Sequence, residues 1–349
     1  RDLVTHVGGW EGDLFVDTGQ GDDAVARIVA EMRTLEQQAP AGAYYSYNNA
    51  GFYAAARILE VASGKTYEDL LEDELLEPLG LGQCFIRPAD VMTHRFVVGH
   101  LNLPAGIEVG RPWPIARAAH AVGGLTCSVR DLLAYARFHL GNGRTRTGRT
   151  VLSAEAILAM REPIYAKQGM DDQHMALTWH LEDRGGIRRV GHGGATLGQQ
   201  AQLTLVPERG FAVAVLTNSG RGGTLNRDVI KAALREFLQV EDRDPEPMAG
   251  VTAEALAEYA GLYSRPFAEA TVTVKDGRLQ VAGRQKQGFP TRETPIPPPA
   301  PAVAVALYAK DRVIGVEGPA KGLRGEFLRD ASGRVAYFRW GGRIAKRVP

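Results

Sequence analysis

Residues 44–65 read YYSYNNAGFYAAARILEVASGK, and this stretch carries much of the information about the fold. From Ala50 the apolar residues recur at helical spacing as far as Ser63. Gly64 follows at the position where a left-handed residue commonly ends a helix. The tripeptide Tyr47-Asn48-Asn49 directly precedes this helix, which would hold its side chains on a rigid support. We therefore expect a helix over Ala50–Ser63 with a polar, aromatic turn before it.

Residues 1–240 alternate between helical and strand patterns. Capping residues and apolar spacing predict further helices over Asp22–Gln38, over Tyr67–Glu77 between Thr66 and Pro78, after Ser128 up to Gly141, after Ser153, and over Asn226–Val240. Short apolar runs predict strands over Met175–Leu181, Ile187–Gly191, Gln200–Val206 and Phe211–Asn218. A helix that follows sequential strands indicates a layered α/β core.

The acidic, proline-bearing segment EDRDPEPMAG at 241–250 predicts a linker. We expect one domain over 1–240 and a second over 251–349. The second has an all-β texture, with an Asp276-Gly277 turn between two strand patterns. It predicts a small β-barrel or β-sandwich in which we recognise no chemistry.

The composition excludes several classes of protein. The 349 residues carry a formal charge of +1, which predicts neither a nucleic-acid nor a membrane partner. No apolar run reaches the ~18 residues of a membrane span. The two cysteines, Cys84 and Cys127, exclude a disulfide framework and a cysteine-based zinc site. The eight histidines are scattered without His-Glu-x-x-His, so we expect neither a metal nor a cofactor.

Tyr47 and Asn49 are candidate catalytic residues. A phenol is a poor base at its usual pKa near 10, but nearby cations would lower that pKa and allow it to take a proton. Asn49 has an amide that would donate to a substrate carbonyl. Two other interpretations remain open. Asn49 would also serve as a helix N-cap, and Ser46-Tyr47-Asn48 would also fit a Ser-x-Asn motif with Ser46 as the proton carrier.

A second candidate site is His192-Gly193-Gly194, within RRVGHGGATLGQQAQLTLVPERGFAVAVLTNS at 188–219. It lies at the end of a predicted strand. Two glycines let a ligand approach the backbone closely, and a histidine supplies a donor or a partial positive charge. The alternative is a glycine-rich turn with an incidental histidine.

Together these stretches resemble the serine β-lactamase and penicillin-binding-protein superfamily, in its class C β-lactamase-like branch of esterases and D-aminopeptidases. The resemblance runs from Gly42 to Leu81 and from His192 to Asn218, with further similarity at Leu3–Gly9 and Ala121–Thr126. It implies an antiparallel sheet flanked by helices, an α+β form of the α/β class. It also implies a serine hydrolase without a cofactor, acting on a small ester, amide or peptide.

The same resemblance implies a role for each candidate residue. Tyr47 would move the proton, Asn49 and His192 would orient the substrate, and Gly193 and Gly194 would line its path. The N–H of Ala195 would form half of an oxyanion hole. The family usually has a lysine where His192 stands, and that lysine helps to hold a substrate carboxylate, so we expect an esterase or D-amino-acid peptidase rather than a β-lactamase.

The family's nucleophile motif, Ser-x-x-Lys, does not occur in the 349 residues. We therefore expect an N-terminally incomplete hydrolase domain, inactive by itself, to which a preceding segment or a second chain adds the nucleophile. The alternative is a non-catalytic protein that binds peptidoglycan-like or other peptides. The compartment stays open, because a first residue other than methionine leaves any signal peptide undetermined.

Overall fold

A computed structural model describes residues 1–103, 105–113, 115–166 and 172–349. The long helix after the Tyr47 turn has its predicted bounds, and Gly64 ends it with φ at 71°. Three predicted caps are also confirmed, because the hydroxyls of Thr66, Ser128 and Ser153 each accept a backbone N–H three residues later. The α-helices are α1 (Ala24–Glu31), α2 (Ala50–Ser63), α3 (Tyr67–Leu71), α4 (Glu77–Leu79), α5 (Pro88–Val91), α6 (His120–Gly123), α7 (Val129–Leu140), α8 (Ala154–Ala159), α9 (Gly222–Leu238) and α10 (Ala253–Ala257).

The predicted end of a helix at Pro78 was wrong. The chain passes from α3 through a π-helical turn, Glu72–Leu76, into α4, and Gly80 ends the helix with φ at 66°. A π-turn bonds each N–H to the carbonyl five residues earlier. The missing N–H and the ring of Pro78 therefore conflict less with the preceding turn than they would in a regular α-helix.

The helix predicted over Asp22–Gln38 is shorter than expected. α1 ends at Glu31, and a 3₁₀ turn, Met32–Thr34, follows it. The residues after this turn are not helical and pair with the start of the chain, since Gln38 N–H donates to Gly9 O at 2.9 Å. This long-range pairing overrode the local helical pattern.

An antiparallel six-stranded sheet forms the core of the first part, as expected. Its strands, in the order in which they pair, are β10 (Phe211–Thr217), β9 (Gln200–Val206), β8 (Ile187–Ala195), β7 (His180–Arg184), β6 (Gln173–Met175) and β5 (Tyr165–Ala166). On β10, alternate residues contact different helices: Ala212 and Ala214 pack in the cluster of α7, and Val213 and Val215 in that of α9. Since alternate strand residues point to opposite faces, the two helices flank the sheet. The strands that precede this sheet in the chain are β1 (Cys84–Phe85), β2 (His100–Leu103), β3 (Gly106–Val109) and β4 (Thr126–Cys127).

The single strand predicted over Met175–Leu181 was wrong. It is divided between β6 and β7, and a turn lies between them, in which Ala176 N–H donates to Trp179 O at 2.9 Å. Thr178 takes the left-handed conformation there, with φ at 64°. An apolar run looks the same in the sequence whether it forms one long strand or two short ones. The left-handed residue of this turn is a threonine, so no glycine marked the turn in the sequence.

The C-terminal part is a closed eight-stranded antiparallel barrel, the first of the two predicted forms. Its first and last strands pair, so the sheet closes on itself. Tyr263, Phe327 and Phe338 pack together in its core. Whether 241–250 separates two domains stays a prediction. The strands are β11 (Gly261–Ser264), β12 (Ala268–Lys275), β13 (Arg278–Gln285), β14 (Val303–Ala309), β15 (Arg312–Gly315), β16 (Arg324–Arg329), β17 (Val335–Trp340) and β18 (Arg343–Arg347).

The two cysteines are paired, although the sequence excluded only a framework of several disulfides and predicted no single pairing. Cys84 on β1 and Cys127 on β4 are register partners in a two-stranded sheet and are joined by a disulfide. Cysteine number and spacing alone could not reveal the pairing, because 43 residues separate the two thiols along the chain. Among the residues described above, no helix combines the length and the apolar character that crossing a bilayer demands.

Candidate active site

The six candidate residues line one cleft. Tyr47 and Asn49 reach it from the turn before α2, and the run from His192 to Ala195 reaches it from the last residues of β8. The rings of Tyr47 and His192 lie 6.1 Å apart between centroids. Two motifs that are 145 positions apart in the sequence therefore face each other across the same space.

Tyr47 is held from two parts of the chain. The imidazole of His6 stacks on its ring, with centroids 4.2 Å apart. The barrel approaches it as well, since the guanidinium carbon of Arg343 lies 4.7 Å from the ring centroid. The backbone N–H of Tyr47 donates to Gly342 O at 2.8 Å. These contacts fix both the backbone and the ring of the tyrosine.

The pKa of Tyr47 is raised, whereas cations beside it were expected to lower it. Burial is the largest effect and raises the pKa; Arg343 lowers it in part, and Asp13 raises it again. The carboxylate of Asp13 thus acts against the effect of Arg343 on the phenol. Within the 349 residues Tyr47 is a neutral phenol near pH 7, so it can relay a proton but is not a standing base.

Asn49 occupies the N-cap position of α2, yet its side chain does not cap the helix. Its Nδ2 donates to Asp13 Oδ1 at 3.0 Å. The capping bond is made by Asn48, whose Oδ1 accepts Gly51 N–H at 2.8 Å. The proposed capping role therefore belongs to the preceding residue, which leaves Asn49 to face the cleft. Ser46 is turned to the barrel, where its Oγ accepts Ile344 N–H at 3.2 Å.

Asp13 is the buried anion of the site. Both of its oxygens accept from Arg343, at 2.7 and 3.0 Å, and Arg265 lies 3.0 Å from Oδ2. Burial would raise its pKa, but the two guanidinium groups outweigh burial and hold the pKa below its usual value. Asp13 is therefore a permanent carboxylate that fixes the amide of Asn49.

The end of β8 presents an open edge to the cleft. Its pairing with β7 stops at Gly191, while its pairing with β9 continues to Ala195. Beyond the strand, Thr196 N–H donates to Gln199 O on the β9 side. Because successive N–H groups of an extended strand point in opposite directions, Ala195 N–H points away from β9, toward that open edge. This is the direction in which an oxyanion donor would have to point.

Sequence reasoning missed two histidines of the site. His6 and His180 join His192 around Tyr47, and the rings of His180 and His192 lie 4.9 Å apart. His6 is buried, and its Nδ1 accepts Asn48 N–H at 3.0 Å. His6 lies in the family-like stretch Leu3–Gly9, a signal that could have marked it; nothing around His180 in the sequence marks that residue.

The three imidazoles each place one ring nitrogen within 4.8 Å of the others. That spacing would allow a divalent cation to contact all three, since imidazole is a common metal ligand. The expectation that the protein needs no metal stays a prediction.

The Gly-Gly-Leu stretch also borders the cleft, at Gly123, Gly124 and Leu125. A Cβ on Gly124 would lie 2.7 Å from the Cα of His120, so a side chain does not fit there. His120 in turn pairs with the buried Glu68, with Nδ1 2.6 Å from Oε1. This stretch therefore shapes the wall of the cleft through close backbone packing.

Comparison with known proteins shows that this chain is similar to hydrolases. A family model described as Beta-lactamase matches residues 1–236. Penicillin-binding protein 4 of Amycolatopsis lactamdurans is 33% identical over 273 residues, which are 75% of this chain and 71% of that protein. A D-aminopeptidase of Cereibacter sphaeroides is 24% identical over 328 residues, 85% of this chain but only 58% of that enzyme.

Solved structures extend the likeness into the barrel. The crystal structure of SurE superposes with a TM-score of 0.70 at 27% identity and covers 100% of this chain and 78% of that one. The crystal structure of SurE with D-Leu gives a TM-score of 0.67 at 26% identity. The expected fold, an antiparallel sheet flanked by helices with a C-terminal β domain, is confirmed by this likeness.

Proposed function

The chain belongs to the β-lactamase family, and on that premise we propose that it forms the Tyr47–His192 side of a serine hydrolase that cleaves amides or esters through an acyl-enzyme. The observation that carries the proposal is the single cleft in which Tyr47, Asn49 and the open end of β8 face one another. Membership of the class C-like branch is part of the proposal.

In the proposed reaction the nucleophile is the serine of a Ser-x-x-Lys motif that lies outside the 349 residues. Its Oγ attacks the carbonyl carbon, and its proton passes through the lysine and Tyr47. The negative charge that develops on the carbonyl oxygen is stabilised by Ala195 N–H. The leaving amine or alcohol takes the proton from Tyr47, and water then hydrolyses the acyl-serine.

Burial of Tyr47 has a consequence for this scheme. The phenol has a raised pKa without the lysine, so it would give and receive protons in one concerted relay. Once the lysine amine has taken the serine proton, its ammonium beside the ring would add to the effect of Arg343 and lower the pKa of Tyr47. The side-chain amide of Asn49 has an N–H donor and an oxygen acceptor, which would orient the substrate carbonyl and the lysine.

We propose amides or esters of D-amino acids as the substrate class. The support is the name of a D-aminopeptidase relative and the likeness to SurE, whose structure is also known with D-Leu. His192 stands where the family usually has a lysine, so the site has less fixed positive charge for the carboxylate of a β-lactam. Rapid turnover of cephalosporins by the full-length protein would contradict this preference.

A non-catalytic peptide-binding protein is the second candidate. The observation that favours it is that none of the serines in the sequence has a lysine three positions later. Without a serine and lysine from elsewhere, the cleft holds a relay and an oxyanion donor but cannot form an acyl-enzyme.

The deciding experiment is intact-mass analysis after treatment with a fluorophosphonate. It compares the 349-residue chain with the protein expressed from its complete reading frame. We expect one phosphonyl adduct on the full-length protein and none on the 349-residue chain. An adduct on neither would support the binding protein, and an adduct on the shorter chain would make one of its own serines the nucleophile, with Ser46 the first to test.

The full-length protein would then be assayed with D- and L-aminoacyl p-nitroanilides. The D-form should be the better substrate, and Tyr47→Phe should reduce kcat by about 10²–10⁴-fold, the usual contribution of a proton-transfer group. Tyr44→Phe is the matched control, because Tyr44 lies three residues earlier and packs on Tyr337 of the barrel. Equal kcat values for the Tyr47→Phe variant and the wild type would overturn the role of Tyr47.

A further inference from the structure

The hairpin that joins β17 to β18 is built against the Tyr47 turn. Gly342 O accepts the backbone N–H of Tyr47, and Ile344 N–H donates to the hydroxyl of Ser46. Arg339 of the same hairpin donates to Tyr45 O at 2.7 Å. Three successive residues before α2, Tyr45 to Tyr47, are therefore hydrogen-bonded to the barrel.

Arg343 reaches beyond these backbone contacts. Its Nε and Nη2 form a fork on the two oxygens of Asp13, and Asp13 Oδ1 also accepts from Asn49. The same guanidinium lies over the ring of Tyr47, at 4.7 Å from the centroid. One side chain from the barrel thus contacts one proposed catalytic residue directly and another through a single carboxylate.

We propose that Arg343 is a positioning residue of the hydrolase site, which holds the amide of Asn49 through Asp13 and keeps a cation on the ring of Tyr47. The barrel is then a working part of the active site, although its sequence carries no recognised motif. The inference rests on the proposed hydrolase function. A fork of two parallel hydrogen bonds fixes the orientation of both partners, which a lysine would not do.

Several other groups face Tyr47 and contribute to its electrostatics. Asp13 is the anion, Tyr45 is a neighbouring phenol, and the imidazoles of His6, His180 and His192 surround the ring. Arg343 is the group among them whose positive charge does not depend on pH. Its removal should therefore change the titration of Tyr47 in one direction, whatever the protonation of the histidines.

The first test measures kcat and KM of the full-length protein on a D-aminoacyl p-nitroanilide. Arg343→Met should lower kcat by about 10²-fold with little change in KM, since misplacing reacting groups costs that much without weakening binding. Arg343→Lys should recover only part of the loss. The matched control is Arg329→Met, because Arg329 also forms ion pairs with two carboxylates, those of Glu258 and Asp311, and lies on β16 away from the cleft.

The second test is independent of turnover. The Tyr47 phenol is titrated by NMR in protein labelled with [¹³Cζ]tyrosine, and its signal is assigned by its absence from Tyr47→Phe. Arg343→Met should raise the Tyr47 pKa above that of the wild type, and Arg329→Met should leave it unchanged. If no phosphonyl adduct forms on any form of the protein, the proposed function fails, but this titration still decides whether Arg343 acts on Tyr47.

A purely structural clamp would give different results. In that case Arg343→Met and Arg329→Met would lose stability and kcat to a similar extent, and the Tyr47 titration would be unchanged in both. That outcome would overturn the inference. Should Arg343→Met fail to fold, the comparison of Arg343→Lys with the wild type in both tests makes the same distinction.

Discussion

Replacement of Asp13 by alanine should destabilise the protein by about 3 kcal/mol. Asp13 is buried, and its carboxylate faces Arg343 at 2.7 Å and Arg265 at 3.0 Å. Breaking a buried ion pair from one side typically costs about 3–5 kcal/mol, because an uncompensated charge stays behind. Arg265 keeps Glu11 as a partner at 2.8 Å, and the side chain of Arg343 is 28% exposed. Both facts place the expected cost at the lower end of the range.

The assay is equilibrium unfolding in urea, followed by tryptophan fluorescence and by circular dichroism. Asp17→Ala is the matched control, since Asp17 lies on the same segment, is exposed, and accepts only a local N–H from Gly19 among the bonds described. We expect that control to change the free energy of unfolding by no more than about 0.5 kcal/mol.

A double-mutant cycle identifies the responsible pair. Asp13→Ala, Arg343→Met and the double variant should show a coupling energy of about 1–3 kcal/mol, as residues in one ion-pair network do. A loss below about 1 kcal/mol for Asp13→Ala, or a coupling energy near zero, would refute the claim that this carboxylate ties the barrel to the Tyr47 turn.

Two further predictions concern stability. Burial, reinforced by Arg161, lowers the pKa of His139 to about 4. The unfolded imidazole takes up its proton below about pH 6.5, so the stability that His139 provides is complete above that pH and is lost as the pH falls from about 6.5 to 4. Between pH 7 and pH 5 the free energy of unfolding measured in urea should fall by about 2 kcal/mol. An equal fall in His139→Gln would show that the titration of His139 is not its cause. Gly51→Ala should lower the free energy of unfolding by about 1–3 kcal/mol, because the new Cβ would lie 2.3 Å from Leu3 O and would displace the segment that carries His6. An unchanged melting temperature would show that this segment moves aside without loss of stability.

Much of the fold could be predicted from local signals. The bounds of α2 were right because apolar spacing, the polar turn before Ala50 and the glycine after Ser63 all lie within one short stretch. The strands around Pro207–Gly210 were right for the same reason, since a turn and its flanking strands are neighbours in sequence. The errors fall where distant residues compete, as at Gln38, which bonds to Gly9 and leaves the predicted helix.

The candidate site divides in a similar way. The motifs at Tyr47 and His192 each have a recognisable local pattern, so the sequence alone determined the family, the fold class and the six candidate residues. Their approach to one cleft follows from the sheet and helix arrangement, which the family resemblance implied and the structure describes.

Other features were decided by the tertiary structure alone. Arg343 lies 330 positions from Asp13, and no pattern in the sequence relates the barrel to the hydrolase motif. His180 joins the site only because β7 and β8 pair at Gly191. The direction in which the pKa of Tyr47 shifts depends on the balance between burial and the opposite charges of Arg343 and Asp13. Local patterns specify helices, strands and turns, but burial and electrostatic fields are sums over neighbours in space, and those neighbours exist only once the chain has folded.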